Sequence, residues 1–187
     1  MTSRVNALFC NFIGMIIETI YYKSPLGILR ISSEKDAISE IHFMYPTKED
    51  NDKIPFPLTG IVNEILKNCL MQLDSYFSGG IINFDIATAH HGTPFQEKVW
   101  DELQRIPYGK TISYLQLSKR VGNTKAIRAV GAANGKNNIS IVVPCHRVIG
   151  SNGSLVGYAG ELWRKKWLLS HEAKYALGVQ MLFNEYI

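Results

Sequence analysis

The chain has 187 residues, 46% of them hydrophobic, with 20 Lys and Arg against 16 Asp and Glu for a formal net charge of +4. That length holds one domain or two small ones with enough apolar content for a core, and no apolar run reaches the length of a membrane span. Three widely spaced cysteines, Cys10, Cys69 and Cys145, argue against a disulfide framework or a zinc cluster and for a reducing, intracellular setting.

The first segment carries Arg4 and an apolar patch from Ala7 to Ile17, but Asn11 interrupts the patch and no small-x-small cleavage site follows it. Met15 directly precedes a strand-like run, so residues 1–14 are read as a disordered or upstream-start extension. Ile16–Tyr22, Gly27–Ser32 and Ala37–Phe43 read as short strands separated by Ser24-Pro25 and by a polar turn over Ser33–Asp36. A polar, Pro-containing loop covers Tyr45–Pro57. Thr59 can cap a helix running to about Phe77, with Ile61, Ile65, Leu66, Leu70 or Cys69, Leu73 and Phe77 on one face. Gly79-Gly80 ends that helix and Ile81–Ala87 reads as another strand. Nothing in this first unit looks catalytic.

His90-His91-Gly92 reads as a linker, its histidines lacking further ligands at metal-site spacing. Thr93 caps a helix with Pro94 at its first position and Phe95, Val99, Leu103 and Ile106 at helical spacing, closed by Pro107-Tyr108-Gly109. Ser113 opens a second helix with apolar positions Leu115, Leu117 and Val121. After a tight turn at Gly122-Asn123, Thr124 caps a third helix from Lys125 to about Gly135, which gives a helix-turn-helix pattern. Ala126, Ala129, Gly131, Ala132 and Ala133 leave this third helix sheathed in small residues, so that DNA or another helix can approach its backbone closely. A last helix covers Glu161–Ala173, and its Arg164-Lys165-Lys166 run reads as solvated.

Charge is uneven. Residues 1–84 hold 7 Lys/Arg against 9 Asp/Glu, whereas residues 85–187 hold 13 against 7. From Leu103 through Gly160 there is no acid at all, while Arg105, Lys110, Lys119, Arg120, Lys125, Arg128, Lys136 and Arg147 lie in that window. Such a stretch is the electrostatic footprint of a polyanion-binding surface, and nucleic acid is favoured over a merely solvated basic face. Inside the window, the apolar run 139–143 delivers Pro144-Cys145-His146-Arg147-Val148 to a new turn, with Pro144 at a first helical position. Unpaired backbone N–H groups and the adjacent His146 and Arg147 cations would favour the thiolate, the reactive form, at Cys145. The bland alternative is an inert buried cysteine.

Taken together, TPFQEKVWDELQRIPYGKTISY, KAIRAVGAAN, IVVPCHRVIG and GSLVGYAGELWRKKWLLSHE resemble the methylated-DNA–protein-cysteine methyltransferase family, which repairs O6-alkylguanine by direct alkyl transfer. The resemblance covers about residues 15–175, with a weaker N-terminal match at YYKSPLGILRI. It implies an α+β fold: a small N-terminal α/β domain (15–89, a short antiparallel sheet plus a helix), then a mainly helical DNA-binding domain with the helix-turn-helix (90–187). It further implies that Cys145 accepts the alkyl group in one stoichiometric event, with His146 as base through a water and Glu172 orienting His146. By the same resemblance Tyr114 supplies a phenol to the purine and crowds the target phosphate. Arg128 enters the base stack, with Lys125, Ala129 and Gly131 on the DNA-binding helix. Asn137 braces the cysteine loop, and the backbone at Cys145, Val148 and Ala159 with the ring of Tyr158 forms the guanine pocket. The implied partner is double-stranded DNA containing O6-alkylguanine, bound by a cytoplasmic monomer with no cofactor, metal or membrane. Asn138 stands where the family often has proline, and the cysteines of relatives with a structural zinc are missing. Two other readings compete: a DNA-binding regulator or lesion-binding relative that senses alkylation, and a cysteine hydrolase. The adjacency of His146 to Cys145 and the basic surface weigh against the last.

Overall fold

β-Branched and aromatic residues alternating with polar ones build the first half of the protein in this computed structural model, which describes residues 10–12, 15–44 and 63–176. Strands β1 (Cys10–Phe12), β2 (Met15–Ser24), β3 (Gly27–Glu34) and β4 (Ala37–Phe43) form an antiparallel meander in chain order. β1 lies within the stretch expected to be an extension, yet it pairs with β2, Cys10 opposite Ile17. The β2–β3 turn is closed by the Ser24 hydroxyl, which donates to Gly27 O at 2.7 Å and accepts from Leu26 N at 3.1 Å. Leu29, Ile31, Ile38, Ile41 and Phe43 are buried beneath helix α1 (Glu64–Ser78). The α1 stripe that is fully covered runs Leu66, Cys69, Leu73 and Tyr76 at helical spacing, so Tyr76 rather than Phe77 is the last inward residue. Asn63 caps α1 through a bond from Leu66 N; the expected start at Thr59 lies outside the described residues.

Ile81–Ala87 is not a strand. Its backbone at Asp85 is satisfied instead by the Gln72 side chain, which accepts from Asp85 N at 2.8 Å and donates to Asp85 O at 2.8 Å. Only one isolated bridge, Ile38 with Thr88, joins the segment to the sheet.

Helix α2 (Pro94–Gln104) starts as expected, with Thr93 and Gln96 forming a reciprocal capping box. α3 (Tyr114–Arg120) has the same device from Ser113 and Gln116. α4 (Ile127–Gly135) begins two residues later than the sequence reading, because Asn123 rather than Thr124 organises the turn, its Oδ1 accepting from Lys125 N. The helix-turn-helix is thus α3, residues 121–126 and α4. Trp100 Nε1 ties α2 to α4 by donating to Ala133 O at 2.9 Å.

The apolar run 139–143 is also not a strand. It folds back on itself, with Val143 N donating to Ile139 O at 2.9 Å and Ile141 held at φ 74°. Its first residues meet the N-terminal sheet: Ile41 N donates to Asn138 O and Ser140 N to Ile41 O. Cys145–Arg147 then form one 3₁₀ turn, with Pro144 at its cap position rather than inside it. Two short parallel strands follow from this, β5 (Ile112–Ser113) against β6 (Val148–Ile149), fixing Tyr114 beside the cysteine turn. α5 (Leu162–Ala176) is the last helix among the described residues and runs three residues past the expected end at Ala173. Among the described residues no helix is long and apolar enough to cross a membrane.

Candidate active site

Cys145 is 5% exposed. Its sulfur accepts a hydrogen bond from Asn137 Nδ2 at 3.1 Å, and the same nitrogen donates to Val143 O at 2.8 Å while Asn137 Oδ1 takes Ile139 N at 3.0 Å. One buried amide, just past the end of α4, thereby shapes the fold-back and holds the thiol. Asn134 on α4 reaches Cys145 O at 3.5 Å.

The cations next in sequence do not serve the thiol as expected. Consecutive residues point apart, and both His146 and Arg147 turn to Glu172 on α5. Glu172 Oε1 accepts from His146 Nε2 at 2.8 Å, Arg147 Nη2 at 2.9 Å and Tyr76 Oη at 2.9 Å; Oε2 accepts from Arg147 Nε at 2.8 Å and Gly109 N at 3.1 Å. Glu172 and His146 are fully buried. Burial alone would raise the Glu172 carboxyl, but His146 and Arg147 outweigh it and hold it well below the usual carboxylate range. Burial holds His146 below its ordinary value, against the pull of Glu172. An ionised carboxylate can only accept, so Nε2 carries the proton and Nδ1 is the lone-pair side of a neutral ring. Nδ1 is buried and has no partner among the described protein atoms.

The positive charge beside the thiol comes instead from Lys165. This residue, read as solvated, is fully buried and donates to Val148 O at 2.6 Å and Val156 O at 2.7 Å. Burial lowers its pKa to about 8, partly offset by Cys145. Burial pushes the Cys145 thiol up; Asn137, Lys165 and the N–H groups of Cys145 and His146 pull it back down. Neighbouring Arg164 is also buried, its Nε donating to Leu26 O at 2.8 Å; of the three bases only Lys166 is exposed. Lys165 shares its helical stripe with Leu168 and Glu172, and that spacing was the signal available in the sequence.

Tyr114 is half-buried at the start of α3, and its hydroxyl donates to Gly157 O at 3.1 Å and Val156 O at 3.3 Å. Burial raises the phenol, and Cys145 adds to the rise. Its ring lies 3.8 Å from where a Cβ on Gly131 would stand. Tyr114, Gly131, Ile127 and Gly157 line a cleft of about 430 Å³. Val148 is buried, Tyr158 half-buried and Ala159 exposed; none of the three lines that cleft. Arg128 and Ala129 are exposed in the first turn of α4, and Lys125 is exposed in the turn that precedes it. A larger cavity of about 530 Å³, bounded by Phe77, Trp163, Trp167 and Tyr175, lies on another face of α5 and contains none of these groups.

Two family models match the chain: 6-O-methylguanine DNA methyltransferase, ribonuclease-like domain, over residues 17–89, and the DNA binding domain of the same name over 94–174. A Methanosarcina acetivorans protein named methylated-DNA–protein-cysteine methyltransferase is 43% identical over 152 residues, 81% of this chain and 95% of its own length. The Salmonella typhimurium protein of that name is 57% identical over 102 residues, 54% of this chain and 60% of its own. A crystal structure of Mycobacterium tuberculosis O6-methylguanine methyltransferase superposes with a TM-score of 0.74 at 36% identity, covering 90% of this chain and 99% of that one. M. tuberculosis OGT in complex with DNA gives 0.73 at the same identity, covering 84% and 93%.

Proposed function

The chain belongs to the methylated-DNA–protein-cysteine methyltransferase family, and from that premise we propose that Cys145 removes the alkyl group from O6-alkylguanine in double-stranded DNA, once per molecule. The observation that carries this reading is the buried Cys145 thiol, held by Asn137 and flanked by the Lys165 ammonium and the Tyr114 phenol.

The reaction is an in-line displacement. The Cys145 sulfur attacks the alkyl carbon, a C–S bond forms, and the C–O6 bond breaks with its electron pair leaving on the purine. The thiol proton passes through a bridging water to His146 Nδ1, the basic side of a ring whose Nε2–H is engaged by Glu172. Tyr114 turns its O–H from the Val156 and Gly157 carbonyls to the departing purine, stabilising charge as it develops. With Cys145 only 5% exposed, a stacked base cannot reach it, so the damaged nucleotide must be extruded from the stack toward the sulfur. Arg128, exposed on α4 beside Ala129 and Lys125, fills the vacated stack while the small-residue face admits the backbone. Asn137, Val148, Tyr158 and Ala159 shape the guanine pocket. The thioether is stable, so the molecule is spent after one transfer and works as a monomer in a reducing, cytoplasmic setting, with residues 15–89 supporting a reactive unit of 90–187.

Incubation with duplex O6-methylguanine DNA, followed by mass measurement of the Cys145 peptide, tests this. One methyl increment per molecule, with loss of the lesion, is expected; an unmodified peptide beside persisting lesion rejects it.

A further inference from the structure

One hydroxyl of the N-terminal unit reaches Glu172 directly. Tyr76, on α1, is fully buried, and its hydroxyl donates at 2.9 Å to Glu172 Oε1, the same oxygen that receives His146 Nε2. The ring is held by edge-on contacts with Phe77 and Tyr108, at 5.4 and 6.0 Å between centroids, and by Phe84 at 5.3 Å. Its backbone oxygen is bound at 2.7 Å by His171 Nε2, one residue before Glu172. A phenol fixed this firmly has one outlet for its proton.

We infer that Tyr76 is a positioning residue for alkyl transfer: by sharing Glu172 Oε1 with His146, it sets both the carboxylate's orientation and how strongly that carboxylate draws on the imidazole. The inference rests on the reading of His146 as the base. Five donors divide the carboxylate charge, and each reduces what His146 receives. Without the phenol donor, Glu172 turns more of its charge to His146, stabilises the imidazolium and leaves less neutral base at a given pH. Other groups facing the pair are Arg147 on the 3₁₀ turn, which neutralises Glu172, and Lys165 and His171 on α5. Tyr108 faces Glu172 from the loop after α2, and Cys145 faces Lys165. All of these stay in place when only the Tyr76 oxygen is removed.

The test is Tyr76→Phe, which keeps the ring and its packing. Single-turnover transfer to O6-methylguanine DNA is measured from pH 5 to pH 9 with wild type alongside. The acid limb should move up by about 0.5 pH unit, with a rate up to about threefold slower on that limb and near-normal on the alkaline plateau. DNA affinity should not change. An unshifted limb, whether the rate is normal or uniformly depressed, overturns the inference, because lost packing slows transfer without moving a titration. If Tyr76→Phe does not fold, 3-fluorotyrosine at position 76, a stronger donor, should move the limb down, and no movement overturns it. Nitrogen NMR of His146 separates this from the wider reading: its titration should shift between wild type and variant even if neither protein transfers a methyl group. Absent transfer by wild type defeats the proposed function, whereas an unshifted His146 titration defeats the role of Tyr76.

Discussion

At the scale of single residues, the positive charge set beside the Cys145 thiol comes from a lysine twenty positions downstream. The motif singles out Cys145 and sets His146 and Arg147 beside it in sequence as cations that would lower its thiol, but both side chains turn away to Glu172. Neighbouring residues on a turn diverge, and a carboxylate as well served as Glu172 captures both cations. Lys165 survives burial because two carbonyls, Val148 O and Val156 O, complete its ammonium and the Tyr114 ring lies 5.9 Å from it. A positive charge stabilises the thiolate and lowers the thiol pKa, so removing it must raise that pKa. Lys165→Met should therefore shift the pH midpoint of Cys145 alkylation by iodoacetamide upward by about one unit. A midpoint that stays put or falls would show that Asn137 and the backbone N–H groups control the sulfur without it.

At the scale of elements, two helix starts were legible, that of α4 was displaced, and irregular segments were not legible. Thr93 and Ser113 announce α2 and α3 because a cap is a local bargain between neighbouring residues. The runs 81–87 and 139–143 have strand-like composition, yet Gln72 and Asn137 satisfy their backbones, and side chains from distant positions leave no periodic trace. The join between α2 and α5 depends on Gly109, which has φ +68° and gives its N–H to Glu172 Oε2. A Cβ there would stand 2.5 Å from Ala176 Cβ and 3.3 Å from Glu172 O. Gly109→Ala should cost about 1–2 kcal/mol from backbone conformation alone, with the clash in addition. Urea unfolding measures the total, and adding Ala176→Gly should recover the clash portion only. Full recovery, or no loss in the single variant, would show that Glu172 does not depend on this glycine.

At the scale of the whole molecule, the basic second half could be read from charge, and the α+β class from the family resemblance. The coupling between the two halves could not. It is carried by Ile41 pairing with Asn138 and Ser140, by Arg164 capping Leu26 O, and by Tyr76 meeting Glu172, each a contact across a long stretch of chain. This junction has a pH signature. His146, His171 and Glu172 all have folded-state values below their ordinary ones, the two histidines through burial and Glu172 through His146 and Arg147. Each binds its proton less readily folded than unfolded, so the unfolded chain holds more protons and acid favours unfolding. Their contribution is intact above the histidines' unperturbed value of 6.5. It is lost first through His146 and His171 as pH falls below that value, then through Glu172 below 4.5. Thermal melts at neutral pH, between the two thresholds and below the lower one should show Tm falling in two stages, by roughly 2–4 °C for each kcal/mol lost. A Tm that holds constant through the first threshold would mean that the buried histidines are free to charge in place, and the junction would then have to open without unfolding the chain.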